Sequence, residues 1–366
     1  MQRYARQIIL PEIGQEGQER LRQASVLCIG AGGLGAPVLL YLAAAGIGRI
    51  GIVDDDVVDI TNLQRQVLFR EQDKGELKTQ AAKHALMALN SDISIVDFTE
   101  RFCAANAENL FDSFDIVIDG TDNFASKFLI NDACVKFSKP LIYASILGFE
   151  AQVSVFSALH GPCYRCLYPA PPSDHIPNCA EAGVMGALAG IAGSVQALEA
   201  IKILLGYDWC VAKGLQSLLG RLWMLDARTM ESRVLALSKN PSCPVCSISP
   251  SEIAIHEHQA SCSANTKIKT LSAAEALEMR EIAIFIDVRE AYELSSGKIP
   301  KSLHIPLATL LKDEHAMERI TPNAKIIVYC QHGIRSLTAA SHLAALGFTS
   351  VAHMAGGIIR WEGELL

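Results

Sequence analysis

The sequence predicts two α/β domains in series, a mostly parallel sheet covered by helices followed by a smaller domain of the same class. Three observations lead there. Short apolar runs alternate with stretches of helical periodicity from residue 25 to about residue 156, the pattern that βαβ units produce. A segment crowded with Ser, Pro, His, Asn and Gln interrupts the periodicity at residues 247–268. Beyond it the alternation restarts and runs through the last hundred or so residues. A chain of 366 residues is long for one core, and half of its residues are hydrophobic, so both parts can bury one. The expected division is a first domain at 1–247, a linker at 248–269 and a second domain at 270–366.

The elements follow from period and punctuation. Strands are expected at 26–29, 50–53, 93–98, 116–119, 141–145, 153–156 and 222–226, as short apolar runs with turn residues between them. Helical spacing of apolar residues marks 34–45, 78–89, 124–137 and a long stretch at 183–205. The last is interrupted by Gln196, Glu199 and Lys202, which suits an internal helix better than a membrane span. Residues 161–177, rich in Pro and polar side chains, read as a long functional loop. In the second domain, helices are expected at 272–279 and 335–346, and strands at 284–287, 326–329 and 351–354. A net charge of −7 argues against nucleic acid or an anionic membrane as partner. No apolar leader follows Met1, and the eleven cysteines are odd in number and scattered, so a cytoplasmic protein with metal and thiol chemistry is expected rather than a disulfide scaffold.

The first site is legible at residues 26–66. An apolar run reaches Gly30-Ala31-Gly32-Gly33-Leu34-Gly35, and a second run ends in Asp54. This is the strand, glycine turn, helix and acid-capped strand of a Rossmann-like nucleotide unit. The glycines let the backbone approach a phosphate at a helix N-terminus, and the acid accepts hydrogen bonds from ribose. Arg65 and Lys78 arrive soon after the acid, and two cations suit a triphosphate better than a nicotinamide dinucleotide. Asp122, beyond the strand at 116–119, can hold Mg²⁺ on phosphate oxygens. Asp122 or Asn123 can equally cap the helix that follows.

Cysteines carry the remaining chemistry. Cys163 and Cys166 form one C-x-x-C pair, Cys243 and Cys246 another, together the ligand set of a closed tetrahedral Zn²⁺ site with a structural role. Cys179 lies at the end of the long loop, just before a helix N-terminus that favours a thiolate. Cys28, Cys103, Cys134, Cys210 and Cys262 read as structural. Cys330-Gln331-His332-Gly333-Ile334-Arg335-Ser336 brings a cysteine off a strand into a short loop and then a helix. Backbone N–H groups there can surround an anionic sulfur, thiolate or persulfide, and Arg335 supplies a cation. A strand, Cys loop, Arg and helix in this order suit a cysteine phosphatase as well.

Residues 1–247 resemble the molybdopterin-synthase adenylyltransferase family (MoeB and ThiF, relatives of ubiquitin-activating enzymes). The resemblance runs through Arg3-Tyr4-Ala5-Arg6-Gln7, the glycine loop, Asn62-Leu63-Gln64-Arg65-Gln66, Thr121-Asp122-Asn123, both cysteine pairs and Cys179-Ala180-Glu181-Ala182-Gly183. Residues 270–366 resemble a rhodanese (sulfurtransferase) domain through Asp287-Val288-Arg289-Glu290, the Cys330 loop and Ala355-Gly356-Gly357. The resemblance implies ATP held by Gly30, Gly32, Gly33, Gly35, Asp54, Asn62, Arg65, Gln66, Lys78, Asp122 and Asn123, with Mg²⁺ on Asp122 and Arg6 reaching the partner subunit's nucleotide in a homodimer. It implies adenylation of the C-terminal Gly-Gly of a small ubiquitin-like sulfur carrier. Sulfur would come through a Cys330 persulfide, charged by thiosulfate or a cysteine-desulfurase persulfide, to give a thiocarboxylate. Cys179 corresponds to a loop cysteine that links covalently to the carrier in some members and is dispensable in others. Two other classes compete: a nicotinamide oxidoreductase, which leaves Arg65, the cysteine pairs and Cys330 without a role, and a non-catalytic carrier-binding scaffold, which leaves Arg65, Lys78 and Asp122 without one.

Overall fold

The computed structural model describes residues 2–171, 183–256, 268–312, 320–321, 323–331 and 333–366. Cys179, Cys262 and His332 lie outside the described residues. The chain divides into two compact units, Met1–Ser261 and Cys262–Leu366.

The first unit is built on an eight-stranded sheet of order β3-β2-β1-β4-β5-β6-β7-β8. Its strands are β1 (Ser25–Ile29), β2 (Arg49–Val53), β3 (Ser94–Phe98), β4 (Ile116–Asp119), β5 (Leu141–Leu147), β6 (Glu150–Phe156), β7 (Arg221–Asp226) and β8 (Glu231–Ala236). β1 to β5 pair in parallel, and the sheet then turns antiparallel through β6, β7 and β8. Helices cover both faces of the parallel part, which is why β4 reads Ile-Val-Ile-Asp with every residue buried. Strand order reverses between β1 and β4, and the crevice at their carboxyl ends is where open sheets of this kind take ligands.

Several features of the first unit departed from the periodicity: the expected loop at 161–177 holds the short helix Tyr164–Leu167, with 172–177 outside the described residues, and short helices Ala107–Asp112 and Tyr207–Ala212 also form. Helix Gly14–Gln23 is strongly polar and buries Gly17, Gln18 and Leu21, so only one large apolar side chain marks its inner face. Edge strand β8 is exposed at all six positions, so no buried face imposes alternation. Helix Gly186–Leu205 is the one helix among the described residues long and apolar enough to cross a membrane, yet half of its most apolar window is buried inside the protein. A Cβ at Gly193 would stand 2.5 Å from Pro37 Cγ and 2.7 Å from Leu34 O, so this helix and helix Gly35–Ala45 lie backbone to backbone. Pro250–Glu252 forms a single turn at the start of the expected linker. Ile253 beside it is buried against Val135, Cys163 and Cys243 as part of the first unit.

The second unit is a five-stranded, fully parallel sheet of order β11-β10-β12-β13-β9. The strands are β9 (Lys269–Leu271), β10 (Ile284–Asp287), β11 (Leu303–His304), β12 (Lys325–Tyr329) and β13 (Ser350–Met354). Alternate residues of β12 feed two cores, Ile326 and Val328 on one face, Ile327 and Tyr329 on the other. Helix Ala273–Glu278 starts at a Ser272/Glu275 capping box, as its sequence dictates. The short edge strands β9 and β11 carry too few residues to show a period.

Candidate functional site

The glycine loop closes the crevice between β1 and β4. Gly30 takes a left-handed φ of 93°, and its N–H donates to Val53 O at the end of β2. A Cβ on Gly35 would lie 2.0 Å from Gly30 O, and one on Gly120 would lie 2.4 Å from the same oxygen. The loop is therefore pressed against the chain leaving β4, a fit that side chains would prevent. Asp54, at the tip of β2, accepts the Ala31 N–H at 2.8 Å and the Asp56 N–H at 2.9 Å. The acid expected to meet ribose thus also fixes the glycine loop. Burial raises its pKa above the ordinary carboxylate value, opposed by Lys78 and by those two N–H donors.

The segment after β2 folds over this loop. Arg65 packs its stem on Gly33, within 3.3 Å of a Cβ there, and its guanidinium donates to Thr61 O. Gln66 is buried beside Gly32, and its Oε1 meets no hydrogen-bond partner among the described residues. A buried carboxamide oxygen without a donor beside a phosphate-type loop fits a nucleotide that would supply one. Lys78 opens helix Lys78–Leu89, is almost fully buried, and holds Asp56 at 2.8 Å. Asn62 is half-buried next to Thr61, and Arg6 is exposed in the short helix Ala5–Ile8. Of the two residues offered as helix cap, Asn123 is the cap, accepting the Ser126 N–H at 2.9 Å. Asp122 is left exposed at the carboxyl end of β4, where one carboxylate with phosphate oxygens suits Mg²⁺.

A buried network that the sequence does not advertise supports this end of β4. Lys127 donates to Asp119 Oδ2, Thr121 O and Ala144 O at 2.8–2.9 Å, with only 3% of its surface exposed. Asp119 also accepts from Thr121 N–H and Oγ1, and Gln196 from helix Gly186–Leu205 donates to Asp119 O. Lys127→Ala leaves the Asp119 carboxylate buried without its cation. The expected cost is about 3–5 kcal/mol of stability, read from the denaturant midpoint. A loss under ~1 kcal/mol would show the pair to be dispensable.

The cysteine pairs meet as the spacing requires. The Sγ atoms of Cys163, Cys166, Cys243 and Cys246 all lie within 4.8 Å of one another. The closest approaches are 3.9, 3.5 and 3.4 Å, and a ZnS₄ tetrahedron with Zn–S near 2.3 Å has edges of about 3.8 Å. Burial, then neighbouring sulfurs, raise Cys163, and burial pushes Cys246 up to about 12. Cys243 is lowered: burial opposes this, but the Val245 and Cys246 N–H groups outweigh it. Four sulfurs this close are at ease as thiolates only around a cation, so the residues fit zinc. Helix Phe124–Lys136 anchors the first pair: Asn131 Oδ1 accepts the Tyr164 N–H and Asp132 takes Arg165 in a bidentate, buried ion pair.

In the second unit, Cys330 leaves β12 almost fully buried, and Gly333 donates its N–H to Sγ at 3.1 Å. Gly333 has a φ of 91° and starts helix Ile334–Ala345. Its Cβ would lie 2.6 Å from Gly356 N, and one on Gly357 would lie 2.3 Å from Gln331 O. The Ala355-Gly356-Gly357 turn therefore hugs the sulfur loop. Ser336 Oγ lies 3.8 Å from Sγ and 3.4 Å from Nδ1 of His353, whose pKa burial lowers against the opposing pull of the Gly333 backbone. Arg335 does not stand as a lone cation beside the loop. Its two terminal nitrogens bind both oxygens of Glu293 at 2.6 and 2.7 Å. Asp287 and Arg289, adjacent to the loop, form a fully buried pair, and Arg289 also reaches Gln331 Oε1. Neither Glu293 nor His353 carries a local sequence signal, since both act across long separations.

The described cysteines outside these sites take structural places: Cys28, Cys134 and Cys210 are buried, with pKa values raised by that burial, and Cys103 is half-buried. The ThiF family matches residues 4–245, and the rhodanese-like domain matches residues 271–364. A protein named adenylyltransferase and sulfurtransferase MOCS3, from Culex quinquefasciatus, is 38% identical over 385 residues, spanning 98% of this chain and 86% of its own. A sulfur carrier protein adenylyltransferase from Thermus thermophilus is 45% identical over 268 residues, 72% of this chain and 96% of its own. The crystal structure of E. coli MccB shares the fold, with a TM-score of 0.58 and 23% identity over 70% of this chain and 74% of that one. The chain belongs to the ThiF family of adenylyltransferases, in the form that continues into a rhodanese-like sulfurtransferase domain.

Proposed function

We propose that the chain uses ATP to adenylate the C-terminal glycine of a small ubiquitin-like sulfur carrier and then replaces the adenylate with sulfur carried on Cys330. The observation that carries the first half is the crevice at the β1/β4 switch point, where the glycine loop, Asp54 and the Arg65-Gln66 turn converge. In this reading the loop N–H groups and Arg65 and Lys78 neutralise the triphosphate, Asp54 takes the ribose, and Asn62, Gln66 and Asn123 line the pocket. Asp122 would hold Mg²⁺, which supplies charge neutralisation on the phosphates. A carboxylate oxygen of the carrier attacks the α-phosphorus, the bond to the β-phosphate oxygen breaks, and pyrophosphate leaves. Positioning and charge cancellation carry that step, because the protein offers no covalent chemistry to it.

The second half rests on Cys330. A persulfide there attacks the acyl carbonyl with its outer sulfur, AMP leaves, and an acyl disulfide joins carrier and Cys330. An external thiol then attacks the Cys330 sulfur, the thiocarboxylate leaves, and the mixed disulfide left on Cys330 is reduced by a second thiol molecule before the next cycle. Zinc on the four cysteines would hold helix Tyr164–Leu167 to the 243–246 turn and, with all four positions filled by sulfur, would serve structure rather than the chemistry. We place the working enzyme in the cytoplasm as a homodimer, with Arg6 reaching the neighbouring subunit's nucleotide.

ATP–pyrophosphate exchange tests the first half. Exchange should depend on a carrier ending in Gly-Gly, and Asp122→Ala should lower it by at least about a hundredfold without shifting the unfolding midpoint. Exchange at the wild-type rate in that variant would remove Asp122 from the metal site. Exchange that ignores every such carrier would sink the adenylation itself.

A further inference from the structure

Charging Cys330 from thiosulfate gathers three negative charges in one small loop. The Cys330 thiolate attacks the outer sulfur of S–SO₃²⁻, a new S–S bond forms, and sulfite departs with the electron pair of the old one. One thiolate and one dianion meet. Gly333 N–H is the described donor on Sγ, and Arg335 is the guanidinium that the loop's own sequence carries. That cation is matched. Glu293 binds it through both carboxylate oxygens, with side-chain exposures of 16% and 14%. Glu293 is itself fixed, because it also accepts the Glu290 N–H at 2.8 Å as the closing member of a capping box. Burial raises its carboxyl, and Arg335 and the Glu290 N–H more than offset that, so it stays ionised. The other guanidinium near the loop, Arg289, is spent on Asp287 in the same way.

We propose that Glu293 is a specificity-determining residue for the sulfur donor: by cancelling Arg335 it disfavours small dianionic donors and leaves the loop to donors that bring less charge. The inference rests on Cys330 being the sulfur-carrying nucleophile. Glu293 touches no reacting atom and acts through Arg335, so it is a positioning residue. Glu293→Gln keeps the shape and the acceptor for Arg335 while removing the charge.

The full-length chain is assayed with two donors of similar size, thiosulfate, a dianion, and methanethiosulfonate, a monoanion. In Glu293→Gln the KM for thiosulfate should fall about five- to tenfold, the scale of one removed charge across a few ångströms of partly wet protein. The kcat/KM ratio of thiosulfate to methanethiosulfonate should rise by the same factor, and Glu293→Asp should keep the wild-type ratio. A purely structural role would change both donors together. A folded Glu293→Gln enzyme with an unmoved ratio overturns the proposal. The wild-type enzyme gives an answer that needs no variant: its KM for thiosulfate should stay flat or fall as salt is raised, and a rise with salt would mean net attraction and overturn it. Cys330→Ala run alongside separates the two claims, since turnover persisting there sinks the nucleophile and not the discrimination.

Discussion

Cys330→Ala should form acyl adenylate at the wild-type rate and no thiocarboxylate. Removing a covalent nucleophile costs at least about a thousandfold in the step it performs. The adenylating unit holds its own glycine loop, cations and cysteine cluster, and each of those contacts is made within residues 1–261. Pyrophosphate exchange uses those residues of the first unit, so it should be untouched. The Cys330 loop should also keep its fold: Gly333 and the Gly356-Gly357 turn hold it through backbone contacts that the substitution leaves in place. Mass spectrometry of the carrier reads the result, because exchanging the terminal oxygen for sulfur adds about 16 Da. Full thiocarboxylate yield from this variant, with thiosulfate as sole sulfur source, would refute sulfur delivery through Cys330.

The second large effect is on folding. Cys243→Ser should lose zinc and bring the first unit near or below its folding threshold. Structural zinc supplies about 10–16 kcal/mol in small peptide sites, as much as the ~5–15 kcal/mol that holds a whole domain. Cys243 is fully buried, packed against Val135, Cys163 and Ile253. It ties the 243–246 turn to helix Tyr164–Leu167 across eighty residues of chain. Elemental analysis with urea unfolding checks this. Folded wild-type chain purified without metal, or zinc-free Cys243→Ser with an unshifted midpoint, would remove zinc from the account.

The fold class, most strands of the sheets and the clustering of the cysteine pairs could be read from the chain because each has a local cause. β1, β2 and β4 are continuous apolar runs, since both faces are buried. The cysteine pairs have metal spacing written into them. What escaped the reading has no such cause. Lys127 finds Asp119 by crossing from a helix to the strand before it, and Glu293 finds Arg335 forty-two residues away. β8 escaped because an edge strand in solvent has no inner face to betray it. Charge at a site is the least legible property: a cation in a motif shows that it is present, and only the fold shows what already holds it.

Gly30, Gly35 and Gly120 converge on a single carbonyl oxygen, that of Gly30. The consequence is for how this sequence can drift. A side chain at Gly35 or at Gly120 forces the same loop away from the same strand end, so once one has moved it, much of the other's penalty has been met. Their effects should combine to less than their sum, as expected for substitutions that share one backbone shift. Each step alone is nearly closed to evolution, while the pair is separated from the present sequence by a valley that no single change crosses. The loop is held in place by the arrangement of its neighbours' failures, and it would have to change as a unit or remain as it is.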